Sequence, residues 1–314
     1  MSGQLIIGQL SDRGKVREIN EDNLCVLTPP SVASGIDALL AVMDGIGGHQ
    51  AGEVASRFVA EQLKKLFSPD KFREWVMYSP DNPDYYLFAL KEAIERLSDE
   101  LNQKASTSTQ LFRMGTTATI ALFAQGQVHL GHVGDSRAYL FHAGALQQLT
   151  KDHSWVMEQV ELGVLTAAQA AVDPRRNQIT RALGLANTVK VDLRRELFGA
   201  QDAVLLCSDG LSTLVSNAEI VEHLQTISDP QRVCEKLVEL ANTRGGNDNI
   251  TVILARSARD GTMDETQRLD VAKDEATQIV GAKVDASDDT PVLSRHGLTQ
   301  VMTQMVGKSK KKKK

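Results

Sequence analysis

Residues 117–145 read TATIALFAQGQVHLGHVGDSRAYLFHAGA, and three β-rich runs lie inside that stretch. Thr117–Phe123, Val128–Val133 and Ser136–Phe141 are rich in β-branched and aromatic residues at strand spacing. The break Ala124-Gln125-Gly126-Gln127 reads as a hairpin turn, as does His142–Ala145 around Gly144. Strands joined by turns this short must pair antiparallel, because a parallel crossover needs a dozen residues or more. Four further runs fit the same sheet chemistry: Leu5–Leu10, Leu39–Met43, Ala203–Cys207 and Ile250–Ala255. Between them, Glu53–Phe67 and Asp84–Lys104 carry apolar residues at helical spacing, and Asn217–Leu224 and Pro230–Thr243 add two more helices. Asn217 and Asp229 stand at their starts as candidate caps. Strand pairs with long helices between them give an α+β fold, helices covering an antiparallel sandwich.

The chain has 314 residues, 42% of them hydrophobic and 24% charged, the balance of a globular protein. A net charge of −5 gives no reason to expect nucleic acid as a specific partner. The cysteines Cys25, Cys207 and Cys234 lie far apart without a C-x-x-C spacing, which excludes a disulfide framework and a zinc site. Cys207 falls in an apolar run and reads as a core thiol. No apolar stretch approaches the roughly 20 residues of a membrane span, and no signal-peptide layout opens the chain, so a cytoplasmic protein is expected.

Aspartates recur where those strands end. Asp44 opens Asp-Gly-Ile-Gly-Gly-His, Asp135 sits in Gly-Asp-Ser-Arg, Asp209 in Ser-Asp-Gly-Leu and Asp248 in Gly-Gly-Asn-Asp-Asn-Ile-Thr. Carboxylates at strand ends, beside residues that let the backbone turn sharply, suit hard divalent cations.

Taken in order, Arg17-Glu-Ile-Asn-Glu-Asp22, Asp44-Gly-Ile-Gly-Gly-His49, Gly115-Thr-Thr-Ala118, Gly134-Asp-Ser-Arg137, Ser208-Asp-Gly-Leu211 and Gly246-Asn-Asp-Asn-Ile-Thr251 resemble the metal-dependent serine/threonine protein phosphatases of type 2C in their bacterial form. The resemblance runs from about Gly8 to Ala255. It implies a four-layer α-β-β-α sandwich of two antiparallel sheets flanked by helices. It implies two Mn²⁺ or Mg²⁺ ions with a third, weaker site, and hydrolysis of phosphoserine and phosphothreonine by metal-activated water attacking phosphorus directly. Oxygen-only ligands agree with hard cations. The resemblance assigns Asp44 to bridge both ions with the Gly45 carbonyl beside it, Asp209 and Asp248 to the second ion, and Asp22 to orient metal-bound water, with Glu21 behind it. It assigns Arg17 to clamp phosphate, a bidentate task suited to arginine. His49 is either the general acid or a histidine fixing the loop. Asp135 is either the third-site ligand or a structural acceptor.

Arg137 is read as a support of the fold, and Gly115-Thr116-Thr117 as permitting close packing near the site. Trp155 and the apolar positions of Glu158–Leu165 read as packing residues. Leu165–Gly184 corresponds to a flap carrying Arg175, Arg176 and Arg181, which either attract phosphopeptides or form a solvated basic face.

Residues 1–256 are expected to form the catalytic domain and 257–314 a polar, disordered tail ending in Lys308 and Lys310–Lys314. Within the tail, Thr266-Gln-Arg-Leu269, Thr277-Gln-Ile-Val280 and Thr303-Gln-Met-Val306 resemble ligands of forkhead-associated domains once phosphorylated. The lysines imply weak attraction to an anionic membrane. Phosphorylated proteins and Ser/Thr kinases are the expected partners. The rival reading is a catalytically silent phosphoprotein-binding module on the same fold, which loss of a ligand aspartate would mark.

Overall fold

The computed structural model describes residues 5–47, 51–76, 82–107, 111 and 113–257. In chain order these form β1 (Leu5–Asp12), β2 (Asn23–Leu27), β3 (Ala38–Met43), β4 (Gly45–Ile46), α1 (Ala51–Leu66), α2 (Pro69–Trp75) and α3 (Tyr85–Ala105). Then come β5 (Gly115–Thr116), β6 (Ala118–Ala124), β7 (Gln127–Val133), β8 (Arg137–His142), β9 (Ala145–Gln148), α4 (Trp155–Glu161) and α5 (Ala167–Val172). The last are β10 (Asp192–Leu197), β11 (Ala203–Cys207), α6 (Asp209–Ser212), α7 (Asn217–Thr226), α8 (Pro230–Thr243) and β12 (Ile250–Ser257).

The expected hairpins are present. β6 pairs β7 and β8 pairs β9, both antiparallel. Their turns place Gln125 and Gly126 at φ 55 and 75, and Ala143 and Gly144 at φ 49 and 81. Two consecutive positive φ values are the signature of the tight turn whose twist matches the strands. One five-stranded sheet runs β1-β12-β11-β8-β9 and the other β10-β7-β6-β3-β2, with β4-β5 a short separate pair.

Alternation along the strands builds the layers. Leu40 and Val42 of β3 meet Leu206 of β11 and Ile253 of β12 in an inner core between the sheets. Leu39, Ala41 and Met43 face the other way, packing with Val59 and Leu63 of α1 and Leu90 and Ile94 of α3. On the far side Leu205, Val252 and Leu254 pack against Ile220 of α7 and Val233 and Leu237 of α8. The result is the four-layer α-β-β-α sandwich. Both faces of the central strands are buried, which is why they read as continuous apolar runs. Cys207 is a buried free thiol, as expected.

The α7 cap is corrected. Ser216, not Asn217, is the N-cap, in a capping box with Glu219, whereas Asp229 does cap α8. Leu162 and Val164 are not packing residues either; they stand 73% and 64% exposed. No helix of the described residues is long and apolar enough to cross a membrane.

Candidate metal centre

Each site aspartate sits where a strand begins or ends. Asp44 follows β3, and its backbone is gripped on both sides. Thr117 N and Thr116 Oγ1 each donate to Asp44 O at 2.9 Å, and Asp44 N donates to Thr117 Oγ1 at 2.9 Å. The small polar pair at 116–117 thus fixes Asp44, a role beyond the close packing expected of it. Gly45 has no room for a side chain, since a Cβ there would lie 2.3 Å from Gly52 O and 2.6 Å from Glu21 O.

Asp22 precedes β2 and is 4% exposed. Its Oδ2 accepts from Ser208 Oγ at 2.7 Å, and Ser208 Oγ in turn accepts from Thr251 N at 2.9 Å. Ser208 therefore joins the β1–β2 connection to β11 and β12. Asn249 does the same for the segment that carries Arg17. Its Nδ2 donates to Arg13 O and Ile19 O, both at 2.9 Å, and its Oδ1 accepts from Glu21 N at 2.8 Å. Ser208 and Asn249 were quoted in the sequence motifs without a role. Their partners lie 186 and 228 to 236 residues away, so no local pattern announces them.

Together these constraints bring Asp22, Asp44, Asp135, Asp209 and Asp248 within mutual electrostatic reach. Burial, then the neighbouring aspartates, pushes the Asp44 carboxyl well above the usual range. Burial is also the main cause for Asp22, at about 7, for Asp135, at about 8, and for Asp209, at about 6. One buried oxygen each of Glu21 (Oε1), Asp22, Asp135 and Asp209 (Oδ1) has no hydrogen-bond partner. Orphaned, half-neutralised carboxyl oxygens of this kind fit a multivalent cation. Among the described residues no three His, Cys, Asp or Glu side chains close a shell around one ion. The oxygen-only donor set fits hard ions such as Mg²⁺ or Mn²⁺.

Arg17 lies at the mouth, its Nη2 2.8 Å from Asp248 Oδ2, both side chains partly exposed. Burial pulls its pKa down, and the charge and hydrogen bond of Asp248 more than offset this, so it is raised. His49 lies outside the described residues. Arg137 is a support, holding Asp152 through Nε and Nη2 at 2.7 to 3.1 Å. Arg175 and Arg181 are engaged locally: Arg175 pairs with Asp173 and lies 3.5 Å over the Trp155 ring, and Arg181 pairs with Asp192 at 2.7 Å. Arg176 lines a cleft beside Asp135 and Asp209.

Comparison with known proteins agrees with this arrangement. Residues 10–250 match the family model Protein phosphatase 2C. The serine/threonine phosphatase stp of Listeria innocua is 36% identical over 251 residues, covering 78% of this chain and 92% of its own. The serine/threonine protein phosphatase PstP of Mycobacterium tuberculosis is 40% identical over 246 residues, covering 78% of this chain and 43% of its own. The catalytic domain of PstP, solved in complex with 2 manganese ions, superposes with a TM-score of 0.67 at 38% identity, covering 81% of this chain and 99% of that one. From strand ends to carboxylate cluster, and across most of its length, the chain belongs to the protein phosphatase 2C family.

Proposed function

We propose that this chain removes phosphate from phosphoserine and phosphothreonine in proteins, as a Mn²⁺- or Mg²⁺-dependent phosphatase acting at the Asp22–Asp44–Asp135–Asp209–Asp248 cluster. The observation that carries it is the convergence of these five acids from separate strand ends, with buried oxygens left unpartnered. Two divalent ions there supply charge neutralisation for the phosphate and a lowered pKa for attacking water.

The chain's own residues do the rest. Asp44, its backbone fixed by Thr116 and Thr117, would hold the ions together with the adjacent Gly45 carbonyl. Asp209 and Asp248 serve the second ion. Asp22, oriented by Ser208, would orient the attacking water. Asp135 serves a third, weaker site. Arg17 uses one of its five N–H groups on Asp248, which leaves donors for a phosphate oxygen. His49 is assigned as general acid to the leaving alkoxide. A catalytically silent binding module would lack part of the carboxylate set, and this chain keeps all five aspartates.

Residues 1–256 are the catalytic domain in this reading, working in the cytoplasm on the targets of Ser/Thr kinases. The tail, 257–314, lies outside the described residues apart from Ser257. Its Thr266, Thr277 and Thr303 motifs are assigned to forkhead-associated partners and its lysines to weak membrane attraction. The test of the activity is hydrolysis of a phosphothreonine peptide with added Mn²⁺. Release of phosphate that EDTA abolishes is expected, and full turnover in excess EDTA contradicts the reading.

A further inference from the structure

The cleft beside the metal centre has two unlike sides. Asp135 and Asp209 line it, so it opens directly onto the carboxylate cluster. Met157 of α4 and Ala167, Ala170 and Ala171 of α5 also line it, and three of these four side chains are single methyl groups. The cleft measures about 340 Å³, at the lower end of the roughly 300–1,000 Å³ typical of ligand pockets. Its Arg137 and Asp152 neutralise each other through a bidentate pair, so they offer no strong charge to a ligand.

The apolar wall is held rigidly. Trp155 N donates to Gln178 O at 2.8 Å and Thr180 N to His153 O at 2.9 Å, closing the base of the α4–α5 hairpin. Arg175 covers the Trp155 ring, and Thr166 and Gln169 form a capping box at the start of α5. A wall fixed in advance can select a shape without the cost of ordering it on binding.

We propose that this cleft seats an aliphatic side chain adjacent to the phosphorylated serine or threonine of the protein substrate. The proposal rests on the phosphatase reading above. Continuity commits the occupant: a chain whose phosphate lies at the aspartate cluster passes into the cleft that Asp135 and Asp209 line, where Met157, Ala167, Ala170 and Ala171 offer apolar surface beside the hydroxyls of Ser212 and Thr213. Selection therefore comes from burial of aliphatic carbons, with Arg176 as the competing reader for an acidic neighbour.

The experiment uses the full chain with Mn²⁺, para-nitrophenyl phosphate, and phosphothreonine peptides carrying Leu, Gly, Asp or Lys on either side of the phosphothreonine. At one of the two flanks, Leu is expected to give about 10-fold higher kcat/KM than Gly or Asp, the scale of discrimination of a small apolar pocket. Ala171→Trp, at an exposed position that tolerates bulk, is expected to erase that preference and leave para-nitrophenyl phosphate hydrolysis unchanged. Met157→Asp, which makes the wall polar without filling it, should do the same. Equal rates for all flanks, or a preference for Asp, would overturn the seat while leaving the phosphatase reading intact. So would variants that lose para-nitrophenyl phosphate and peptide turnover in parallel. No hydrolysis of para-nitrophenyl phosphate by the unaltered protein would overturn the phosphatase reading itself, and the seat with it.

Discussion

Burial raises the pKa values of Asp22, Asp44, Asp135 and Asp209, so these carboxyls hold protons more tightly in the metal-free protein, and a cation that takes the site must displace them. The sign follows from the raised values of about 7 for Asp22, 8 for Asp135 and 6 for Asp209. Folded values above the unfolded carboxylate range stabilise the metal-free fold fully below about pH 4, and that contribution is lost as pH rises through about 6 to 8. His129 and His132, pushed down to about 4 mainly by burial, act oppositely, so absolute melting curves mix the two effects. Their difference with and without Mn²⁺ does not. The rise in Tm on adding saturating Mn²⁺ is expected to grow from pH 6 to pH 8, and one that shrinks contradicts the assignment. Asp44→Asn and Asp209→Asn should each lower phosphatase turnover by at least about 100-fold while the protein still folds, since each strips charge from the shell that sets metal affinity. Retention of more than about a tenth of the rate in Asp209→Asn at saturating Mn²⁺, measured by phosphate release, goes against it. These aspartates were legible in the sequence because each sits beside a turn residue at a strand end. Ser208 and Asn249 carry no role in the sequence reading, and Thr116 and Thr117 only close packing, because what they do depends on partners brought near only by folding.

The connection between β1 and β2 carries Arg17, Glu21 and Asp22 without regular structure of its own, and Asn249 holds it by three side-chain hydrogen bonds. Asn249→Ala removes the partner of three part-buried backbone groups, at up to about 1 kcal/mol each. A lower Tm and a higher KM for phosphopeptides are expected, and an unchanged KM contradicts a positioning role. Gly45→Ala should act on the metal directly, because its Cβ would be forced into Gly52 O and Glu21 O. Calorimetric titration of Mn²⁺ should show weakened binding, and unaltered binding would remove Gly45 from the shell. At this scale the paired hairpins were legible, since Gly126 and Gly144 sit in tight turns between apolar runs. The edge strand β1 was legible too, but the edge strands β10 and β2 were not. β10 reads Asp-Leu-Arg-Arg-Glu-Leu and is half-buried along its whole length, so no clean alternation marks it. β2 pairs on one side only, with β3, and its five residues are too short for a period to show.

The molecule is built so that the ends of strands from both sheets meet at one place. β3 and β7 deliver Asp44 and Asp135 from one sheet, while β11 and β12 deliver Asp209 and Asp248 from the other. Sheet packing through the inner core thus sets the spacing of the carboxylates, and no single element contains the site. An α+β fold with helices over an antiparallel sandwich was legible because helical and strand periods separate cleanly along the chain; the four-layer order came from the resemblance, and the grouping of strands into two sheets was not readable from periodicity, since β8 leaves the sheet of its neighbour β7 after the turn at Gly134. A chain ending at Ser257 should fold and hydrolyse para-nitrophenyl phosphate like the full chain, because every site residue precedes that point. Loss of activity on truncation, measured at equal Mn²⁺, would give the tail a part in the fold. The central claim is that these converging aspartates make a two-metal phosphatase. It is tested most directly by stripping the full chain with chelator, titrating Mn²⁺ back, and following phosphate release from a phosphothreonine peptide. Activity absent without metal, restored by Mn²⁺ and not restored in Asp209→Asn is the expected result. Turnover by the stripped protein at the metal-loaded rate would contradict it.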